Sequence, residues 1–288
     1  GYPVARQQLL VREGTQRYGT YTAQGDAVNC YENIAVYELT AGEVKAIFNR
    51  TTGWLESYQS KGVEMLKKGY VLRPNFWRGP TDNDFGASLQ VKNAVWRNPE
   101  MVLEQLTFTP AEVTQQLKAD ASRKDVPDMF RFGMQLVMPE QFDRIDYYGR
   151  GPEENYADRN HSTFMGRYSQ MVSDQFYPYV RPQETGSKSD VRWWKVVDVD
   201  GRGLAFSAEQ PFFATALHYL TSDLDDGDKK HQRHSGELHE RDLTCVSIDG
   251  RQMGLGCVDS WGSLPLPEYC LPYGDYTFTV VITPIEKK

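Results

Sequence analysis

The sequence predicts an all-β protein, a large antiparallel β-sandwich. Three observations carry that expectation. Apolar residues alternate with a period of two along many short stretches, turn-forming dipeptides separate those stretches, and helical periodicity is weak throughout. With 288 residues, 40% hydrophobic and 12% aromatic, the chain has the apolar material for a sizeable core. Its 25% charged residues match a globular composition rather than a disordered one.

In chain order, Val4–Leu10 reads as a strand, followed by the polar, Gly-containing stretch Arg12 to Gly25. A lone strand has no independent stability. Residues 1–25 are therefore expected to be the last strand of a preceding domain plus a linker, and 26–288 the sandwich itself. VYELT, EVKAIF and WLESYQ follow as strands, punctuated by Ala41-Gly42 and by Asn49–Gly53. The best helical stretch, Val91 to Leu103, is short and interrupted by Pro99. Phe130, Phe132, Met134 and Leu136 share one face of a half-buried strand, as do Tyr276, Phe278, Val280 and Ile282. Asp-Gly tolerates the positive φ of tight turns, so Asp200-Gly201 and Asp249-Gly250 each predict a hairpin. In Trp193-Trp194 one indole must face inward, and the pair reads as core rather than as a sugar platform.

Charge and composition narrow the function classes. Lys plus Arg number 32 against 39 Asp plus Glu, a formal net charge of −7. A mildly acidic chain without a basic patch repels phosphate backbones, so no nucleic-acid partner is expected. No apolar run approaches the roughly 20 residues of a membrane span, and no membrane partner is expected either. The chain begins Gly1-Tyr2-Pro3 and reads as a processed or excised piece of something longer; it carries no sign of a compartment. Cys30, Cys245, Cys257 and Cys270 lack CxxC spacing and read as mostly buried thiols. His231, His234 and His239 lie close together, but their spacing is not that of a closed zinc motif and their neighbours are those of a solvated loop. No metal site and no cofactor are assigned.

Three segments are dense in polar, Gly and aromatic residues: RPNFWRGPTDNDFG (73–86), YYGRGPEENYADR (147–159) and DSWG (259–262). In the first, Asp and Asn side chains suit a rigid turn in which Gly86 supplies a positive φ. In the second, Glu153, Glu154, Asp158 and Arg159 suit an Arg–carboxylate and turn network better than paired catalytic acids. In the third, Trp261 has small or polar neighbours and Pro265 and Pro267 close behind it, which places a large indole in a loop with few local core partners. A flat apolar surface with a polar N–H suits the C–H face of a sugar ring; burial at the sandwich end is the alternative.

The same segments resemble the C-terminal domain of the family-two glycoside hydrolases that are β-galactosidases. RPNFWRGPTDNDFG looks like that domain's R-x-x-x-x-R-x-P-x-D-N-D-x-G, YGRGPEENYADR is similar to G-x-G-P-x-E-N-Y-x-D-R, and YPYVRPQETG (177–186) to Y-P-Y-V-x-P-x-E-N/T-G. The correspondence continues from Ile248 through Trp261 and covers about Val28 to Pro284; Ala5-Arg6-Gln7-Gln8 is similar to the last strand of the preceding immunoglobulin-like domain. The resemblance implies a galactose-mutarotase-like supersandwich belonging to a retaining β-galactosidase. It further implies that both catalytic Glu residues lie on a (β/α)₈ barrel absent here, so no residue of this chain is catalytic. Asp82, Asn83, Asp84, Gly86 and Trp261 would contact a β-galactoside substrate, the other domains of the parent would be partners, and the parent could form a homo-oligomer. Two rivals are a free-standing aldose 1-epimerase-like mutarotase, for which only His161 and His218 stand in strand-like context, and a non-catalytic carbohydrate-binding module. One departure is notable: the family carries several dozen more residues near Val113–Thr114, which predicts omitted residues and a break in Cα spacing there.

Overall fold

The computed structural model describes residues 6–9, 11, 26–103, 106, 112–120, 122–256, 258–259 and 261–286. The expected linker 12–25, residues 4, 5 and 10 of the expected strand, and Cys257 lie outside the described residues. Residues 6–9 carry no strand.

The chain opens with a five-stranded antiparallel meander: β1 (Asn29–Glu32), β2 (Val36–Ala41), β3 (Val44–Asn49), β4 (Leu55–Ser60) and β5 (Val63–Glu64). Gly42 (φ 55°) and Gly53 (φ 72°) turn two of its hairpins, at the positions the dipeptides predicted. Ala46, Phe48, Tyr58 and Val63 pack against the main core. The opposite face carries the Lys45–Glu38 ion pair at 2.8 Å.

Then come β6 (Arg73–Asn75), two short helices α1 (Asp82–Gly86) and α2 (Leu89–Lys92), and β7 (Glu112–Leu117). The long strands β8 (Arg131–Pro139), β9 (Arg144–Gly151), β10 (Phe164–Met171), β11 (Lys188–Val197), β12 (Gly203–Leu217), β13 (Leu243–Gln252) and β14 (Tyr276–Ile285) complete the fold. The second sheet has nine strands in the order β10-β9-β11-β12-β13-β8-β6, with β14 pairing both β12 and β7. β12 is long enough to change partners midway: Gly203–Ser207 pair with β14 and Phe213–Leu217 with β13. The architecture is the all-β antiparallel sandwich that the alternation predicted.

The core lies on one face of the large sheet, where Phe132 and Met134 of β8, Tyr147 of β9, Trp194 of β11, Phe206 of β12 and Ile248 of β13 are buried together. Trp194 faces inward, and Trp193, on the other face, is half-buried beneath the Lys195 ammonium. β8 departs from the half-buried expectation because its second face is covered too. Arg131 there meets Glu184 at 2.7 Å, and Gln135 donates to Thr221 at 3.0 Å, so loops close over polar side chains.

Several other expectations need correction. Asp200-Gly201 does turn the β11–β12 hairpin, with Gly201 at φ 80°. Asp249-Gly250 does not turn: β13 runs through it with a bulge between Asp249 and Arg251. Glycine is required there for packing, because a Cβ at Gly250 would fall 2.8 Å from the Phe278 ring. The stretch expected to be helical from Val91 to Leu103 divides into the end of α2 and a 3₁₀ turn at Ala94–Trp96, ahead of Pro99. β7 runs through Val113–Thr114, paired in register with Val280 and Thr279. Cys30 is exposed rather than buried, Cys270 is half-buried, and Cys245 is buried. Finally, the Gln8 side chain spans the outer edge of β10, accepting from the Met165 N–H at 2.7 Å and donating to its carbonyl at 3.0 Å.

Candidate functional site

The first polar segment folds as a one-turn helix, not as the turn expected. Thr81 caps α1: its hydroxyl accepts from the Asp84 N–H at 3.2 Å, and the Asp84 carboxylate accepts from the Thr81 N–H at 2.8 Å. Gly86 therefore keeps helical backbone, and the left-handed residue is Ser88 at φ 60°. Asp84 is buried and its carboxylate is fully engaged. Arg78 grips it with two bonds, Nε at 3.0 Å and Nη2 at 2.7 Å, and donates onward to the carbonyls of Met253 (2.9 Å) and Gly254 (3.1 Å). The guanidinium also covers the Phe130 ring at 4.6 Å.

These bonds join α1 to the chain leaving β13. Asn83 extends the join by donating to the Leu255 carbonyl at 3.0 Å. A few residues on, Gly262 comes against the Gly86 carbonyl, so that a Cβ there would stand 3.5 Å from that oxygen. The DNDFG helix and the DSWG loop are thus neighbours in space. The loop is shaped by Asp259, whose carboxylate accepts from the Trp261 N–H (2.9 Å) and from the Ser263 hydroxyl (2.8 Å); those donors hold it below the usual carboxylate range. Trp261 itself is 89% exposed, in keeping with its loop composition. Val258, Leu264 and Leu266 on the same loop are exposed as well.

Asp82 takes the outer face of α1. It meets Lys230 at 2.7 Å and Arg181 at 3.1 Å. Burial alone would raise its carboxyl, but the two cations outweigh burial and hold it low. The same cations flank the Phe85 ring, Arg181 at 4.9 Å and Lys230 at 5.5 Å. Arg181 continues to Asp226, which also binds Arg233 at 2.6 Å. Nothing in the local sequence singled out Arg181, Lys230, Arg233 or Asp226, since charged loops read as solvated from composition. His231, His234 and His239 are exposed, and the described residues hold no cluster of three metal-ligating side chains.

The second segment forms the Arg–carboxylate network expected of it. Glu154 lies in a loop and accepts from Arg159 at 2.5 Å, from the Tyr179 hydroxyl, and from the Gly186 N–H at 2.7 Å. Asp158 accepts from the Gly256 N–H at 3.0 Å, tying this loop to the strand exit beside α1. Of the two histidines in strand-like sequence context, His161 sits exposed in a turn, and His218 follows β12 with its Nδ1 2.7 Å from the Leu243 carbonyl.

The family model described as the β-galactosidase small chain matches residues 40–282. The chain belongs to the β-galactosidase small-chain family. A relative named β-galactosidase from Priestia megaterium is 31% identical over 313 residues, 98% of this chain and 29% of that protein. A second, from Lactobacillus delbrueckii subsp. bulgaricus, is 32% identical over 265 residues, 81% of this chain and 25% of that protein. This small-chain domain thus spans under a third of the length of these relatives. The first alignment is longer than the chain itself, so that relative carries residues within this span that the chain lacks. Among solved structures, a galactose mutarotase related enzyme from Lactobacillus acidophilus superposes with a TM-score of 0.44 at 11% identity, covering 91% of this chain and 98% of that one.

Proposed function

We propose that this chain is the C-terminal part of a retaining family-two β-galactosidase, walling the active-site cleft and contributing sugar contacts. The observation that carries this reading is Trp261, 89% exposed on a loop held against α1. Leaving a large apolar side chain in water forgoes roughly 1.5–3 kcal/mol of burial, which a stacked sugar ring would recover. Gly86 borders the loop and Asn83 meets the chain just ahead of it, while Asp82 lies on the outer face of α1 with Lys230 and Arg181. Asp84, buried under Arg78, acts by positioning the others. The catalytic carboxylates belong to a barrel outside this chain. Here Glu154 is occupied by Arg159, Tyr179 and Gly186, and Glu184 by Arg131, which leaves neither disposed as a nucleophile.

The test is Trp261→Ala in the intact parent enzyme. Sugar binding should weaken by about 1–3 kcal/mol, mainly in KM, because a stack equal in ground and transition states leaves kcat alone. Unchanged kinetics would withdraw the assignment. The chain on its own should release no product from a chromogenic β-galactoside. Turnover that survives repurification would place catalytic groups here after all. Accelerated mutarotation of freshly dissolved α-galactose would favour the epimerase instead.

A further inference from the structure

A cleft of about 420 Å³ opens beside the β13 bulge, and no residue of the Trp261 loop lines it. Its size falls within the roughly 300–1,000 Å³ usual for small-molecule sites. Phe213 of β12, Tyr269 and Tyr276 supply aromatic surface. Gln252, buried, forms part of the lining and is fixed by its bonds to Asp249 (2.8 Å) and Ser187 (3.2 Å). Arg251 and Glu268 stand exposed at the cleft, and among the described residues neither side chain makes a hydrogen bond or an ion pair.

We propose that this cleft binds a neutral hexose as a second carbohydrate site, separate from the Trp261 surface. A free guanidinium donates and a free carboxylate accepts, and each sugar hydroxyl can do both. The aromatic side chains suit the apolar C–H faces of a pyranose ring. A phosphorylated or acidic ligand is disfavoured, because one cation is offset by Glu268. An aliphatic ligand is disfavoured because it would desolvate both charges without pairing them. A bulge sets Arg251 out of register with Asp249 beside the cleft.

The experiment is titration of the 288-residue chain with D-galactose, followed by calorimetry and by ligand-observed saturation-transfer NMR. Galactose should bind the wild-type chain and the Trp261→Ala variant alike. Arg251→Ala combined with Glu268→Gln should weaken that binding about ten-fold or more, the worth of one charge-assisted hydrogen bond or better. Both substituted side chains are exposed, so the thermal midpoint should not move; should it fall, Glu268→Gln alone provides the same readout. Absence of binding at tens of millimolar would overturn the proposal, as would binding lost with Trp261→Ala or unaffected by the double substitution. The Trp261 assignment is tested separately in the parent enzyme, so either can fail without the other.

Discussion

α1 and the 258–266 loop are neighbours, each carrying Asp, Gly and one aromatic residue, and they use those residues in opposite ways. In α1 the acidic groups are engaged within the domain: Asp84 by Arg78 and Thr81, Asp82 by Arg181 and Lys230. In the loop a single carboxylate, Asp259, organises the backbone, and the largest side chain is left in solvent. The contrast teaches that a dense motif combines two jobs. One part is a buried anchor that fixes geometry, and the other is a surface presented to solvent.

The sharpest way to break that comparison is Asp84→Ala. It strands the buried Arg78 guanidinium, and stability in urea unfolding should fall by about 3–5 kcal/mol. A loss below about 1 kcal/mol would mean that α1 anchors nothing. Next is a second interior cluster, Asp249 with Arg131, Glu184 and Gln252. Burial raises the Asp249 carboxyl to about 6, with Arg131 and Gln252 opposing, against an ordinary value of 3.8. Between those values the unfolded chain loses its proton first, so stability should decline by roughly 2–3 kcal/mol as pH rises from 3.8 towards 6 and level off above it. Asp249→Asn should remove that slope; identical pH profiles would discount the cluster. The smallest effect belongs to the loop. Trp261→Ala should shift stability by less than about 0.5 kcal/mol while deleting the indole emission most readily quenched by acrylamide. A larger loss would make Trp261 a packing residue.

Features set by local chemistry were legible in the sequence. The strand alternation in β14 and the turns at Gly42, Gly53 and Gly201 follow from neighbouring residues alone. α1 carries a local signal too, although its Asp and Asn side chains also suit a turn: Thr81-Asp82-Asn83-Asp84 has the capping-box spacing that starts a helix. What could not be read depends on distant chain. Gly250 looks like a turn glycine, yet it is small because Phe278 packs on it. Arg78 gains its role from carbonyls 175 and 176 residues away. The second face of β8 is buried by loops whose composition, taken by itself, suits solvent.

The outer edge of β10 has a consequence for how the molecule behaves in company. An unpaired strand edge offers its N–H and C=O groups to any passing strand, including that of another copy. Gln8 closes one such position by presenting an amide that copies the two-bond pattern of a neighbouring strand against Met165. A single side chain there takes the place of a strand, so a strand from another copy cannot pair at Met165 while Gln8 holds it.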